Sequence, residues 1–294
     1  MKQFRIGIVG TENSHAHGFT TAFNKADENG NCKYPDFRVT LVYGHYPEEN
    51  ERLVKEFGAD KVAENLEEMV ANVDAVIVCA RDGKFHYEFA KPFIEAGIPA
   101  FIDKPFTTNP DEAVALINLA KEKGVPLCGG SMLKFADNIL EAKAARLKGE
   151  REVLGASVCA PVILNSEYSG FFFYASHLAE MTLESFGYNP LSVTAKLSKG
   201  GVCATVNYEN FSVSNHFTEN GWNYALSVYT TKELVASAVS LDNAGDREIE
   251  EFVQMVRTGH MGNTYEELAF PVFYLNAVKK AYETGEEVKI EAKF

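Results

Sequence analysis

Short apolar runs alternate along the first half of the chain with longer stretches in which apolar residues recur every three or four positions. Near-continuous apolar runs over residues 4–9, 38–43, 75–79, 100–102 and 126–128 predict strands buried on both faces, as a parallel sheet covered by helices requires. Helical spacing over residues 48–57, 66–70, 87–96 and 110–123 predicts the crossovers between them. Asn109-Pro110-Asp111-Glu112 marks one start, with asparagine as N-cap, proline in the first turn and two acids at the positive end of the helix dipole. Gly97 and Gly124 fall where left-handed C-caps are needed. From about residue 150 the period shifts to two. Residues 192–197, 202–208, 211–217, 223–230 and 234–240 predict a mostly antiparallel sheet, with helices at 175–186, 249–258 and 265–284. The expected architecture is α/β: a doubly wound parallel sheet over residues 1–128, then an α+β domain with an open, mostly antiparallel sheet over residues 129–294.

A doubly wound sheet binds its ligand beyond the carboxyl ends of the strands. The residues placed there are polar: Gly10-Thr11-Glu12-Asn13-Ser14-His15, Gly44-His45, Ala80-Arg81-Asp82-Gly83-Lys84-Phe85-His86, Asp103-Lys104-Pro105 and Gly129-Gly130-Ser131-Met132-Leu133-Lys134. Gly10 stands where a dinucleotide fingerprint begins, but its second and third glycine positions hold Glu12 and His15. Asn13, Ser14 and His15 offer hydrogen-bond donors in compensation; the alternative is a plain strand-to-helix turn. No acid for an adenosine ribose and no arginine for a 2′-phosphate follows the second strand at Gly44-His45, so NAD and NADP both stay open. A lysine set by the Lys104-Pro105 bond at a strand end is expected to point into the crevice; the alternative is a solvated loop. His86 is either a crevice residue or a polar residue opening the next helix. The expected cofactor-binding set is Gly10, Thr11, Asn13, Ser14, His15, Gly44, His45, Ala80, Arg81, His86, Asp103 and Lys104.

Later in the chain, Tyr174, His177 and Glu180 lie at successive spacings of three and fall on one helical face. Imidazole, with an ordinary pKa of about 6.5, is the natural proton carrier at neutral pH. The alternative is a histidine packed on aromatics.

Composition narrows the function. The 294 residues are 46% hydrophobic and 23% charged, which is globular composition, and no apolar run reaches the length of about 20 residues that crosses a bilayer. A net charge of -13 opposes binding to a phosphate backbone, so neither nucleic acid nor membrane is an expected partner. Five cysteines with no Cys-x-x-Cys pair read as reduced core thiols of a reducing compartment, and Met1-Lys2-Gln3 leads into a strand without signal-peptide character, so the cytoplasm is the expected location. His15 and His17 form the one close histidine pair, and no His-Glu-x-x-His or Cys/His cluster accompanies them, so no metal is expected. No Gly-x-Ser-x-Gly elbow or Walker loop occurs, which removes esterase and kinase readings.

Taken together, Gly7-Ile8-Val9-Gly10, Asp74-Ala75-Val76-Ile77-Val78 and Ala96-Gly97-Ile98-Pro99-Ala100-Phe101-Ile102-Asp103-Lys104-Pro105-Phe106 resemble the glucose-fructose oxidoreductase / inositol dehydrogenase / MocA family, in which Glu-Lys-Pro usually stands where Asp103-Lys104-Pro105 stands here. Gly155-Ala156-Ser157-Val158 and the His177 segment fall where that family places its second domain. The resemblance implies an N-terminal Rossmann domain holding NAD or NADP and a C-terminal sheet forming the substrate wall and a homodimer or homotetramer interface. It implies hydride transfer between nicotinamide and a sugar-, cyclitol- or polyol-like carbinol or ketone. Lys104 would bind the reacting hydroxyl and His177 would take its proton. The aspartate that often precedes this histidine by four residues is Phe173 here, so Tyr174 and Glu180 are expected to orient His177 in its place. The same departures, with Glu12, leave a second reading: a catalytically inactive nucleotide- or sugar-binding sensor of the same fold. A cofactor-assisted lyase or hydrolase would share the site.

Overall fold

The computed structural model describes residues 3–149 and 152–294. The chain opens with β1 (Phe4–Val9), α1 (Ser14–Asn24), β2 (Phe37–Tyr43), α2 (Pro47–Arg52), β3 (Lys61–Val62), α3 (Leu66–Asn72), β4 (Ala75–Val78), α4 (His86–Glu95), β5 (Ala100–Asp103), α5 (Pro110–Lys123) and β6 (Leu127–Gly130). These strands form one parallel sheet in the order β3-β2-β1-β4-β5-β6. The order reverses at β1/β4, which opens the crevice beyond their carboxyl ends. α5 starts as the sequence predicts: Asn109 caps it by accepting the Asp111 N–H at 2.9 Å, and Gly124 ends it at φ +64°.

Residues 48–57 form α2 and a following π turn, Leu53–Phe57, rather than one regular helix. The short β3 and the helix α1, which the apolar pattern leaves unmarked, complete this half. α1 begins on the polar run Asn13-Ser14-His15, and its apolar anchors are spaced as Ala16, Phe19 and Phe23.

The second half comprises α6 (Asp137–Lys148), β7 (Val153–Val162), α7 (Phe172–Phe186), β8 (Ser192–Ser198), β9 (Gly201–Asn207), β10 (Ser212–Glu219), β11 (Ala225–Thr230), β12 (Leu234–Ala238), α8 (Ala244–Thr258), α9 (Tyr265–Thr284) and β13 (Val288–Lys289). Its sheet runs β12-β11-β7-β10-β9-β8-β13 and is antiparallel except where β7 meets β10. Along β7, β9 and β10 buried residues alternate with exposed or half-buried ones. The buried set, including Val158, Ala204, Val206 and Val213, packs on Leu178 and Met181 of α7 and Tyr274 and Val278 of α9. The opposite face, carrying Ser157, Cys203, His216 and Tyr229, has no covering layer among the described residues.

The chain then returns to the parallel sheet. Phe252 and Met255 of α8 share a core with Ile8, Phe19, Phe37 and Phe101, while Leu268 and Val272 of α9 join Val78, Phe89 and Ile102 on the other face. Phe252 lies edge-on to Phe19 and Phe101, at 5.9 and 6.3 Å between ring centroids.

Of the cysteines, Cys79 and Cys128 are core thiols as expected, but Cys32 and Cys203 are exposed and Cys159 is half-buried; none is in a disulfide. Cys203 sits on the bare sheet face, where the period-two pattern sends alternate residues outward whatever their hydrophobicity.

Because Phe252 is fully buried among aromatics of the parallel sheet, Phe252→Ala should lower the unfolding free energy by about 3–5 kcal/mol in denaturant titration. It should do so while lying more than 100 residues beyond the last strand of that sheet.

Candidate active site

The buried carboxylate of Asp103 at the end of β5 is the centre of the crevice. Its Oδ2 accepts the Asn13 Nδ2–H at 2.9 Å and lies 3.1 Å from His15 Nδ1, and its Oδ1 accepts the Lys104 N–H at 2.7 Å. Burial opposes ionisation of Asp103, yet the charges of His15 and Lys104 hold it below the ordinary carboxylate range. Burial likewise works against a charged His15, but Asp103 outweighs it and raises the ring to about 9. The side chain of Glu248, from α8, completes the cluster. Its Oε1 is buried without a partner, and burial, reinforced by the Asp103 charge, raises its pKa to about 7. One ligand atom from each of His15, Asp103 and Glu248 lies within 4.8 Å of the others. With His15 protonated, its charge balances Asp103 there.

The β1 turn above this cluster keeps part of an anion cradle. Gly10, at φ +88°, has no room for a side chain, since a Cβ would lie 2.1 Å from the Ala80 nitrogen. Gly44 is similarly closed in by Thr11 Oγ1, which donates to Asn50 Oδ1 at 2.6 Å. Glu12, at the second glycine position, turns aside to accept the Arg81 N–H at 2.9 Å. The backbone N–H groups of Thr11, Glu12 and Asn13 make no hydrogen bond among the described residues and precede the N-terminus of α1. These free donors fit a pyrophosphate. Ser14 is exposed beside them, and His45 lies at the rim against Phe85 and Phe89, with ring centroids 4.6 and 4.9 Å away.

His86 is a correction. It is fully buried, with Nδ1 2.7 Å from the Pro105 carbonyl and Nε2 2.8 Å from the Ala80 carbonyl, so neither ring nitrogen is left for a cofactor. It ties the β4 and β5 loops together. Arg81 packs its guanidinium over Tyr168, 5.1 Å from the ring centroid, and Ser169 donates to Asp82, so Tyr168 and Ser169 pack against this loop.

Lys104 reaches the crevice from the end of β5 and His177 from the helix α7. Lys104 is buried, with its ammonium 5.1 Å from the centroid of Phe173, one turn before His177 on α7. Burial, and then the Lys104 charge, lower the His177 pKa to about 3. The partners expected to orient His177 do not. Its Nδ1 lies 2.7 Å from Ser131 Oγ; Tyr174 touches the ring only edge-on at 5.4 Å; and Glu180 turns to Gly130 and Ser131, where burial raises its carboxyl to about 8. An i,i+3 spacing puts side chains on one face, but Glu180 sits a turn deeper, towards the end of β6.

Glu248 and Ser131 are the functional candidates that the sequence reading passed over as such. Glu248 lies in the acidic run Asp246-Arg247-Glu248, which reads as a solvated face, yet it is four residues before Phe252 and seven before Met255, on the buried stripe of α8.

Residues 4–130 match the GFO/IDH/MocA domain, described as an oxidoreductase family with an NAD-binding Rossmann fold. The match takes in the six-stranded parallel sheet and ends before α6, so it bears on less than half of the chain. The scyllo-inositol 2-dehydrogenase (NADP(+)) IolU of Bacillus subtilis (strain 168) is 32% identical over 110 residues, 37% of this chain and 33% of its own length. The myo-inositol dehydrogenase Hyg17 of Streptomyces leeuwenhoekii is 32% identical over 104 residues, 35% of this chain and 32% of its own. The match therefore spans about a third of the length of these relatives.

Among solved structures, GenD2 from gentamicin A biosynthesis in complex with NAD has a TM-score of 0.83 at 19% identity, covering 99% of this chain and 97% of its own. The scyllo-inositol dehydrogenase from Lactobacillus casei with bound NAD(H) and scyllo-inositol has the same score at 17% identity, covering 98% and 99%. At these identities the likeness is one of fold, and it extends over both sheets.

Asp103→Asn keeps the shape of the cluster and removes its charge. His15 should then titrate below about 6.5 rather than about 9 in imidazole NMR, and stability near neutral pH should fall by about 3 kcal/mol or more. In the native protein the His15 contribution is complete below about pH 6.5 and is lost as pH rises through about 9. Glu248, raised from its ordinary value of about 4.5, loses its own earlier, as pH rises from about 4.5 through about 7, so the two together cover about pH 4.5 to 9. Melting temperature should therefore decline over that window, and Asp103→Asn should flatten the His15 part of the decline.

Proposed function

We propose that the chain is an NAD(P)-dependent oxidoreductase acting on a carbinol or ketone of a sugar-, cyclitol- or polyol-like small molecule. The convergence of Lys104, from the parallel sheet, and His177, from the second domain, on one crevice beside the free amides of the β1 turn carries this reading. Residues 1–128 hold the dinucleotide and residues 129–294 supply the substrate wall. Thr11, Asn13 and Ser14 would take the pyrophosphate through the β1 turn, with Gly10, Gly44 and Ala80 giving the backbone room and His45 and Arg81 at the rim. Bound there, a nicotinamide accepts or supplies hydride.

The chain's own groups do the rest. Asp103 holds Lys104 by its backbone N–H and keeps His15 charged beneath the turn. Lys104 presents an ammonium that polarises the substrate oxygen and exchanges a proton with it, and His177 hydrogen-bonds the same oxygen. Phe173, in the place of the family's aspartate, gives the ammonium an aromatic face rather than a counter-charge. The bare face of the second sheet is the surface through which we propose a homodimer or homotetramer forms.

Glu12 and Phe173 favour the sensor as the second reading, since each replaces a residue that the family's chemistry uses. Calorimetry with NAD, NADH, NADP and NADPH, followed by turnover assays on cyclitols and sugars, separates the two. Micromolar binding of one cofactor pair with turnover supports the oxidoreductase; binding without turnover on any carbinol or ketone supports the sensor. Lys104→Met should retain cofactor binding and lower turnover by about 10²–10⁴-fold. Unchanged turnover in that variant would overturn the assignment.

A further inference from the structure

His177 faces the crevice with one ring nitrogen already committed. Nδ1 lies 2.7 Å from Ser131 Oγ, with both residues buried, while Nε2 has no hydrogen-bond partner among the described residues. Ser131 Oγ accepts the Leu133 N–H at 3.2 Å, capping the 3₁₀ turn Met132–Phe135. Ser131 is 0% exposed, and among the described residues its hydroxyl hydrogen has one acceptor within reach, Nδ1 of His177. The opposite arrangement, Nδ1–H pointing at Oγ, strands a buried hydroxyl hydrogen, and an unsatisfied buried polar group costs about 1–3 kcal/mol.

Ser131 is itself held in place. Its backbone N–H donates to the carboxyl of Glu180, which lies so close to Gly130 that a Cβ there would come within 2.6 Å of Glu180 Oε1.

We propose that Ser131 is a positioning residue that fixes His177 as its Nε2–H tautomer, so that His177 meets the substrate oxygen as a hydrogen-bond donor. This deepens the oxidoreductase reading and rests on it. A ring that already carries its proton on Nε2 suits a carbonyl oxygen gaining negative charge, and it has no lone pair there to take a hydroxyl proton. Proton exchange at that oxygen then stays with Lys104: one N–H bond of its ammonium breaks as the O–H bond forms, when hydride from a reduced nicotinamide reaches the carbonyl carbon. The low basicity of His177 agrees with a group that stays neutral throughout.

The test is the ¹⁵N–¹H spectrum of the imidazole side chains in the full-length protein, with His177 assigned by the signals lost in His177→Gln. Between about pH 5 and 8 its Nδ1 should be unprotonated and its Nε2 protonated. In Ser131→Ala the pattern should become a mixture of tautomers, and Ser131→Thr, which restores a hydroxyl, should return it. A protonated Nδ1 in the native protein, or an unchanged pattern in Ser131→Ala, would overturn the proposal. Should Ser131→Ala fail to fold, the native spectrum alone decides. These spectra need neither cofactor nor substrate, so they can fail while the oxidoreductase reading stands. Where turnover is found, Ser131→Ala should lower kcat roughly tenfold or more with little change in KM, as for a lost orientation rather than lost binding.

Discussion

A carboxylate with no access to water must find its stabilisation in the protein, and Asp103 finds it in three directions at once. It receives an amide from the β1 turn, a charged imidazole from the first turn of α1, and the backbone N–H of the lysine that follows it. Removing any partner would leave a buried charge exposed to a low-dielectric surrounding, which is far costlier than losing a surface ion pair. The β1 turn, the end of β5 and the direction of Lys104 are therefore set together. A third chain segment enters through Glu248, whose buried carboxyl has its pKa raised beside the same anion.

That coupling explains how a turn lacking two of its three expected glycines keeps a cradle for an anion. His15, in the third glycine position, is drawn down to Asp103, and Glu12 is drawn sideways to the Arg81 amide. Both side chains are engaged by groups beside or below the turn, and the N–H groups of Thr11, Glu12 and Asn13 remain available above it.

The second domain contributes in two ways. Through α8 and the start of α9 it supplies part of the parallel sheet's core, so the two sheets share α9 as a covering helix. Through α7 it brings Phe173 over the Lys104 ammonium and His177 within reach of its charge, and Ser131, just past β6, meets the His177 ring at Nδ1. The site thus depends on packing between segments as distant as residues 15, 103, 131, 177 and 248. A change in the aromatic cluster around Phe252 would be felt at Glu248, four residues earlier on the same buried stripe.

Period and punctuation in the sequence determined much of this molecule. Continuous apolar runs specify strands buried on both faces, alternation specifies the one-sided second sheet, and Asn109-Pro110 and Gly124 bound α5 for local reasons that need no neighbour. The position of Lys104 at a strand end was legible for the same reason. Elements with a weak apolar stripe were not: α1 starts on polar residues and α6 buries only Ile139, so both owe their helices to what they pack against. Partner choice belonged to tertiary structure alone. One-dimensional spacing put Tyr174 and Glu180 beside His177, but hydrogen bonds are decided over about 3 Å, and only the folded chain brings Ser131 to Nδ1, His86 between two carbonyls, and Glu248 to the buried anion at Asp103.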